Sequence, residues 1–189
     1  MESNSRKTQI LKEIFGYDSF RKGQEEIVDQ ILNGRDVLAI MPTGAGKSLC
    51  YQVPALLMSG ITIVVSPLIS LMIDQVKALN EAGVHAAYIN SALTERQITK
   101  ALELAAAGRY KMIYVAPERL LTPRFLDFAC HTELSMVTID EAHCISQWGQ
   151  DFRPSYVGIA DFLAQLPKRP VVSAFTATAT ERVKQDIMG

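Results

Sequence analysis

Asp36-Val-Leu-Ala-Ile40-Met41-Pro42-Thr43-Gly44-Ala45-Gly46-Lys47-Ser48 decides how this chain folds. The apolar residues up to Ile40 read as a buried strand, and the stretch after Ser48 reads as a helix. A strand, a glycine-containing turn ending in Gly-Lys-Ser and a helix together make a phosphate cradle. Backbone N–H groups point into the turn, and the helix N-terminus adds partial positive charge. Lys47 then neutralises phosphate oxygens and the Ser48 hydroxyl ligates Mg²⁺. Thr43, Gly44, Ala45, Gly46, Lys47, Ser48 and Leu49 are therefore candidate nucleotide contacts. The usual spacing begins with a glycine where this chain has Met41, so the loop is a variant. The plainer alternative is a strand-to-helix turn that needs Gly44 and Gly46 only for their backbone angles. That alternative gives Lys-Ser no reason to stand at the helix start.

Working outward, short apolar runs alternate with helical stretches. Strands are expected at 36–40, 61–65, 86–89, 112–115, 136–139 and 171–175. Helices are expected at 48–57, 69–82, 95–107, 123–130 and 156–166, with a last one from about Thr180. Two more precede the first strand, one ending over Ile10–Phe15 before Gly16 and one over Gln24–Leu32 before Asn33-Gly34. Apolar strands bounded by helices imply an α/β chain with a doubly wound, mainly parallel sheet covered on both faces. Ligands of such sheets sit beyond the carboxyl ends of the strands.

The 189 residues suit one domain with a real core. A net charge of −1 gives no electrostatic footprint for nucleic acid, so that partner has to be argued from motifs. Cys50, Cys130 and Cys144 are odd in number and unpaired in spacing. They suggest neither a disulfide framework nor a zinc site, and a reducing, intracellular setting is the simplest inference. No charged residue occurs from Ser48 to Ile73, a length that could cross a bilayer. Pro54, Gly60 and Pro67 interrupt it, and a helix, a strand and a second helix explain it better than a membrane span.

The second chemical site is Val137-Thr-Ile-Asp140-Glu141-Ala-His143. Asp140, at a strand end, is placed to hold Mg²⁺ directly or through water. Glu141 is placed to orient and deprotonate an attacking water, which separates hydrolysis from mere nucleotide binding. A capping acid for the next helix is the bland alternative.

With these residues on the page, the chain resembles the RecQ family of DNA helicases. Asp140-Glu-Ala-His143, followed by Cys144-Ile-Ser-Gln147-Trp148-Gly-Gln-Asp151-Phe152-Arg153-Pro154, carries the resemblance. So do Gly46-Lys-Ser-Leu-Cys-Tyr-Gln-Val-Pro54, Ser66-Pro67-Leu68-Ile-Ser70, Asn90-Ser91, Ala116-Pro117-Glu118-Arg119 and Thr176-Ala-Thr178. The stretch Phe15-Gly-Tyr17 to Gln24 is similar to that family's adenine-recognition motif, with Lys22 where a proline is usual. The resemblance implies a RecA-like P-loop NTPase fold, using ATP and Mg²⁺. It also implies that this is the first of two motor domains, so that the chain is a fragment of a longer enzyme.

By the same resemblance, Tyr17 stacks on adenine, Gln24 reads its edge and Arg21 adds a cation nearby. Surface charge and helix-start packing are the alternative for those three. The loop from Ser146 to Arg153 resembles one that senses single-stranded DNA, with Trp148 and Phe152 offering flat faces to bases and Arg153 meeting a phosphate. His143 and Gln147 are coupling candidates. The alternative is that both aromatics anchor a loop to the core. Ser66, Pro67 and Leu68, and likewise Pro117, Glu118 and Arg119, are expected to open helices whose N–H groups hold DNA phosphates. Ordinary helix initiation is the alternative there. Thr176 and Thr178 are expected to bridge the acids to the DNA side.

The family implies 3′ to 5′ translocation on DNA and duplex unwinding in repair and recombination. An RNA helicase of the same superfamily and a nucleotide-dependent binding module remain as alternatives. Weak activity of the isolated chain is expected, because arginines from a second domain complete such sites. No structural metal is expected, and oligomeric state is open.

Overall fold

A computed structural model describes residues 2–41, 46–142 and 154–177, together with Ile187. Helix α1 spans Glu2–Glu13 and α2 Gln24–Leu32. Strand β1 (Val37–Ile40) leads to α3 (Lys47–Leu57), β2 (Ile61–Val65) to α4 (Ile69–Glu81), and β3 (Ala86–Ile89) to α5 (Glu95–Ala106). Strand β4 (Met112–Val115) leads to a 3₁₀ turn at Pro117–Arg119 and to α6 (Pro123–Cys130). Strand β5 (Leu134–Ile139), a 3₁₀ turn at Pro154–Val157, α7 (Gly158–Gln165) and β6 (Val171–Thr176) complete the order.

The six strands form one sheet in the order β1-β6-β5-β2-β4-β3, and all five pairings are parallel. Side-chain alternation divides the core. Ile61, Ile63 and Val65 of β2 face a cluster with Phe125 of α6 and Phe162 of α7. Val64, between them, faces a second cluster with Tyr51 of α3 and Met72 of α4. A period of two thus turns one strand toward two helical layers. All five residues of β2 are buried, as a central parallel strand requires. Helix α1 lies outside, where Leu11 meets Val28 and Val53. The buried Lys7 ammonium joins it to Glu25 and Asp29 of α2.

All six strands fall where the sequence places them. The differences lie at element ends. Helix α1 ends at Glu13 rather than Phe15, and β5 begins two residues earlier than expected. The segment expected as a helix over 156–166 begins as a 3₁₀ turn. Pro54 does not interrupt the uncharged stretch. It lies inside α3, which continues to Leu57, and the chain leaves the helix only at Met58. A proline costs the helix one N–H bond, and its ring is buried at this position. Among the described residues no helix is long and apolar enough to cross a membrane. The helix expected from Thr180 falls outside the described residues.

Candidate nucleotide and nucleic-acid site

Lys47 opens α3, directly after Gly46, whose φ of 74° places it in the left-handed region. A side chain at residue 46 would be strained there, and its Cβ would stand 2.4 Å from the Gln24 amide nitrogen. The Gln24 amide donates to the Gly46 carbonyl at 3.0 Å and accepts from the Arg21 N–H at 2.7 Å. Gln24, expected to read adenine, is buried and braces the exit of the phosphate loop. Tyr17 and Arg21 are exposed at the same end. Met41, at the variant first position, is buried and donates its N–H to the Thr176 carbonyl at 2.9 Å, extending the β1–β6 pairing toward the loop.

The acids come from β5. In the sheet β6 alone separates β5 from β1, so Lys47 has to reach across two strand spacings, about 10 Å. It does so. The Lys47 ammonium lies 2.9 Å from Asp140 Oδ1 and 3.1 Å from Glu141 Oε1. Adjacent residues in a strand point to opposite faces, and that would separate the two carboxylates. The chain avoids this by ending β5 at Ile139 and turning Glu141 to a φ of 54°. Left-handed backbone is costly for a residue with a Cβ, by about 1–2 kcal/mol. Two bonds hold the turn: the Glu141 N–H donates to Asp140 Oδ1 at 3.0 Å, and the buried Tyr156 hydroxyl donates to the Asp140 carbonyl at 2.8 Å. Tyr156 is the supporting residue that sequence reading misses, since a lone tyrosine at a helix start carries no spacing signal.

Burial disfavours the charged form of Lys47, but the Asp140 and Glu141 carboxylates outweigh it and hold the ammonium above its ordinary value. Asp140 is 2% exposed, so its charge needs a cationic partner. In this arrangement Lys47 is that partner. The hard oxygen donors Asp140 and Ser48 suit Mg²⁺, and the lysine suits the phosphates that would accompany it. That donor set fits the cofactors expected from sequence.

The segments after β2 and β4 lie side by side, with the Ser66 N–H donating to the Val115 carbonyl at 3.2 Å. Ser66 is buried and its hydroxyl accepts from the Leu68 N–H at 3.4 Å, leaving Leu68 as the exposed member. Both segments open helical structure as expected, but only the first enters an α-helix. Pro117, Glu118 and Arg119 form a single 3₁₀ turn, which has too few aligned peptides for a helix-end field. Pro117 is buried, Glu118 is exposed, and Arg119 lies 3.6 Å from Glu95. Thr176 is buried at the end of β6. Thr43, Gly44, Ala45, His143, Gln147, Trp148, Phe152, Arg153 and Thr178 lie outside the described residues.

Residues 21–187 match the family described as DEAD/DEAH box helicase. The chain is 48% identical over 179 residues to the ATP-dependent DNA helicase RecQ of Haemophilus influenzae, covering 95% of this chain and 29% of that protein. It is 51% identical over 183 residues to the Bacillus subtilis ATP-dependent DNA helicase RecQ, covering 96% and 31%. The chain thus spans less than a third of either relative's length. Among solved structures it is similar to a hypothetical ATP-dependent RNA helicase from Sulfolobus tokodaii, with a TM-score of 0.74 at 22% identity over 98% of this chain and 54% of that one. It is also similar to the DUF1998 helicase MrfA bound to DNA, with a TM-score of 0.77 at 18% identity over 97% and 28%. At such identities the likeness is one of fold, and it agrees with the RecA-like, P-loop architecture expected from sequence. The chain belongs to the DEAD/DEAH box helicase family, and its sequence similarity lies with the RecQ helicases.

Proposed function

We propose that this chain is the ATP-binding motor segment of a RecQ-type, ATP-dependent DNA helicase that moves 3′ to 5′ on single strands and opens duplexes in repair and recombination. The observation that carries the reading is the Lys47 ammonium held between Asp140 and Glu141, at the carboxyl end of a parallel sheet. Lys47 exchanges a carboxylate for phosphate oxygens when a triphosphate binds. Ser48 and Asp140 would hold Mg²⁺, which when bound neutralises charge on the triphosphate. Glu141, 25% exposed and therefore reachable by water, orients the attacking water and accepts its proton. Gln24 and Tyr17 face the adenine end, and Leu68 with Arg119 lies along the single strand. His143, Gln147, Trp148, Phe152, Arg153, Thr176 and Thr178 serve DNA sensing and its coupling to hydrolysis. A second RecA-like domain of the same protein completes the site, in an intracellular compartment.

Glu141→Gln in the full native polypeptide tests this. Nucleotide affinity should persist, while turnover should fall by about 10²–10⁴-fold. Unchanged turnover would favour a nucleotide-dependent binding module. DNA and RNA oligonucleotides compared as activators separate the DNA motor from an RNA helicase, and the similarity to RecQ relatives favours DNA.

A further inference from the structure

We propose that Tyr51, Gln52, Gln75 and Tyr114 form a buried relay that transmits the state of the nucleotide site to the two segments that approach the single strand, a role that rests on the helicase reading above. The Gln52 amide of α3 donates to the Tyr114 hydroxyl of β4 at 2.9 Å. The Tyr51 hydroxyl of α3 donates to Gln75 Oε1 of α4 at 3.0 Å. The two hydroxyls stand 3.4 Å apart. These ends fix the direction of the chain. An amide NH₂ can only donate and an amide oxygen can only accept, so the Tyr114 proton points to the Tyr51 oxygen. Burial raises both phenols, Tyr114 to about 12, so both remain donors at any working pH.

The placement of the four residues gives the relay its function. Tyr51 lies one helical turn from Lys47 on the same face of α3. A shift of the α3 start as Lys47 trades carboxylate for phosphate therefore reaches the Tyr51 hydroxyl through a rigid turn. Gln75 stands on α4, the helix entered through Ser66–Leu68. Tyr114 is the penultimate residue of β4, just before the Pro117–Arg119 turn. The Tyr51 ring also packs edge-on against Phe175, 5.5 Å between centroids, immediately before Thr176. One side chain thus meets the elements that lead to both segments and, through Phe175, the end of β6 at Thr176. The two outer bonds are of ordinary length. The middle one is longer than the usual hydroxyl contact of about 2.8 Å, which makes it the joint with room to tighten or open. Apolar packing alone would seat α3 on the sheet. A directional polar chain under it instead fixes α3 relative to α4 and β4.

The test measures ATP turnover and affinity for a fluorescent ADP analogue in the full native polypeptide, with and without oligothymidylate. Tyr114→Phe removes the middle of the relay and Gln75→Met, at a half-buried position, removes its end. Each should leave basal turnover within about two-fold and cut DNA stimulation by about five-fold. The double substitution Gln52→Met with Tyr114→Phe removes both partners, so no buried amide is orphaned. Its Tm should recover relative to Tyr114→Phe while stimulation stays low. Stimulation that recovers along with Tm, or Gln75→Met stimulated like wild type, overturns the relay alone. Wild type that oligothymidylate does not stimulate overturns the helicase reading, and the relay with it.

Discussion

The two ends of this sheet handle charge in opposite ways. At the carboxyl end a buried carboxylate and a half-buried one each lie within 3.1 Å of one lysine ammonium. At the amino end Asp36 meets Arg169 at 2.7 Å, with both side chains largely in solvent, and Ser59 donates to the exposed Glu133 at 2.7 Å. An exposed pair of this kind contributes no more than about 1 kcal/mol and answers mainly to salt. A buried cluster would be unstable if any member were removed, yet it gains when an anion and a cation of matching charge enter. The difference between the ends marks where a charged ligand belongs. The amino end does carry a cavity of about 440 Å³, lined by Leu57, Leu134, Leu166 and Arg169 among others, but among the described residues no comparable buried charge cluster lines it.

The contrast breaks most sharply through Lys47. Lys47→Ala should lower nucleotide turnover by about 10²–10³-fold, as loss of one preorganised charge does. Arg169→Ala at the other end should leave turnover unchanged. Equal losses from both substitutions would erase the distinction between the ends.

Two glycines sharpen it next. Gly60 enters β2 at the amino end, where a Cβ would stand 2.6 Å from the Glu133 carbonyl and 2.7 Å from Ser135 Oγ. Gly60→Ala should cost about 1–3 kcal/mol of stability in urea denaturation, with nucleotide affinity per folded molecule unchanged. Gly46→Ala should cost both stability and affinity, because it strains a left-handed residue and displaces the Gln24 amide. If both glycines change affinity alike, the loop exit is not a separate functional element.

The smallest effects come from pH. Burial pushes Asp36 up, but the Arg169 hydrogen bond, the Val172 N–H and the guanidinium charge together hold it below its ordinary 3.8. Its contribution is therefore present above pH 3.8 and lost as the pH falls further. Lys47 is raised, so its contribution is complete below 10.5 and lost only as the pH rises through the higher folded value. Denaturation of wild type and Arg169→Ala should differ slightly at neutral pH and converge in acid. A gap that widens in acid would contradict the assignment.

Much of this arrangement is legible in sequence, for a physical reason. Ile61–Val65 is a run of apolar and β-branched residues between a glycine and Ser66-Pro67, too short for a helix and suited to a buried parallel strand. Lys47 and the Asp140-Glu141 pair announce themselves because charge at the end of an apolar strand demands a partner. What the sequence does not reveal is what depends on backbone angle and on contacts across the fold. Glu141 in the left-handed region is one case, since nothing about a glutamate signals it. The 3₁₀ turn at Pro117–Arg119 is another, because a proline at a first turn suits either kind of helix. Tyr156 and the Tyr51–Tyr114 pair are a third, being single aromatics that read as core until their hydroxyls are placed.

The most direct test is a crystal structure of the protein with a non-hydrolysable ATP analogue and Mn²⁺, located by its anomalous signal. The metal should lie between Ser48 and Asp140, with the Lys47 ammonium moved from the carboxylates onto the phosphates. Metal and triphosphate bound elsewhere, with Lys47 still paired to Asp140 and Glu141, would contradict the account.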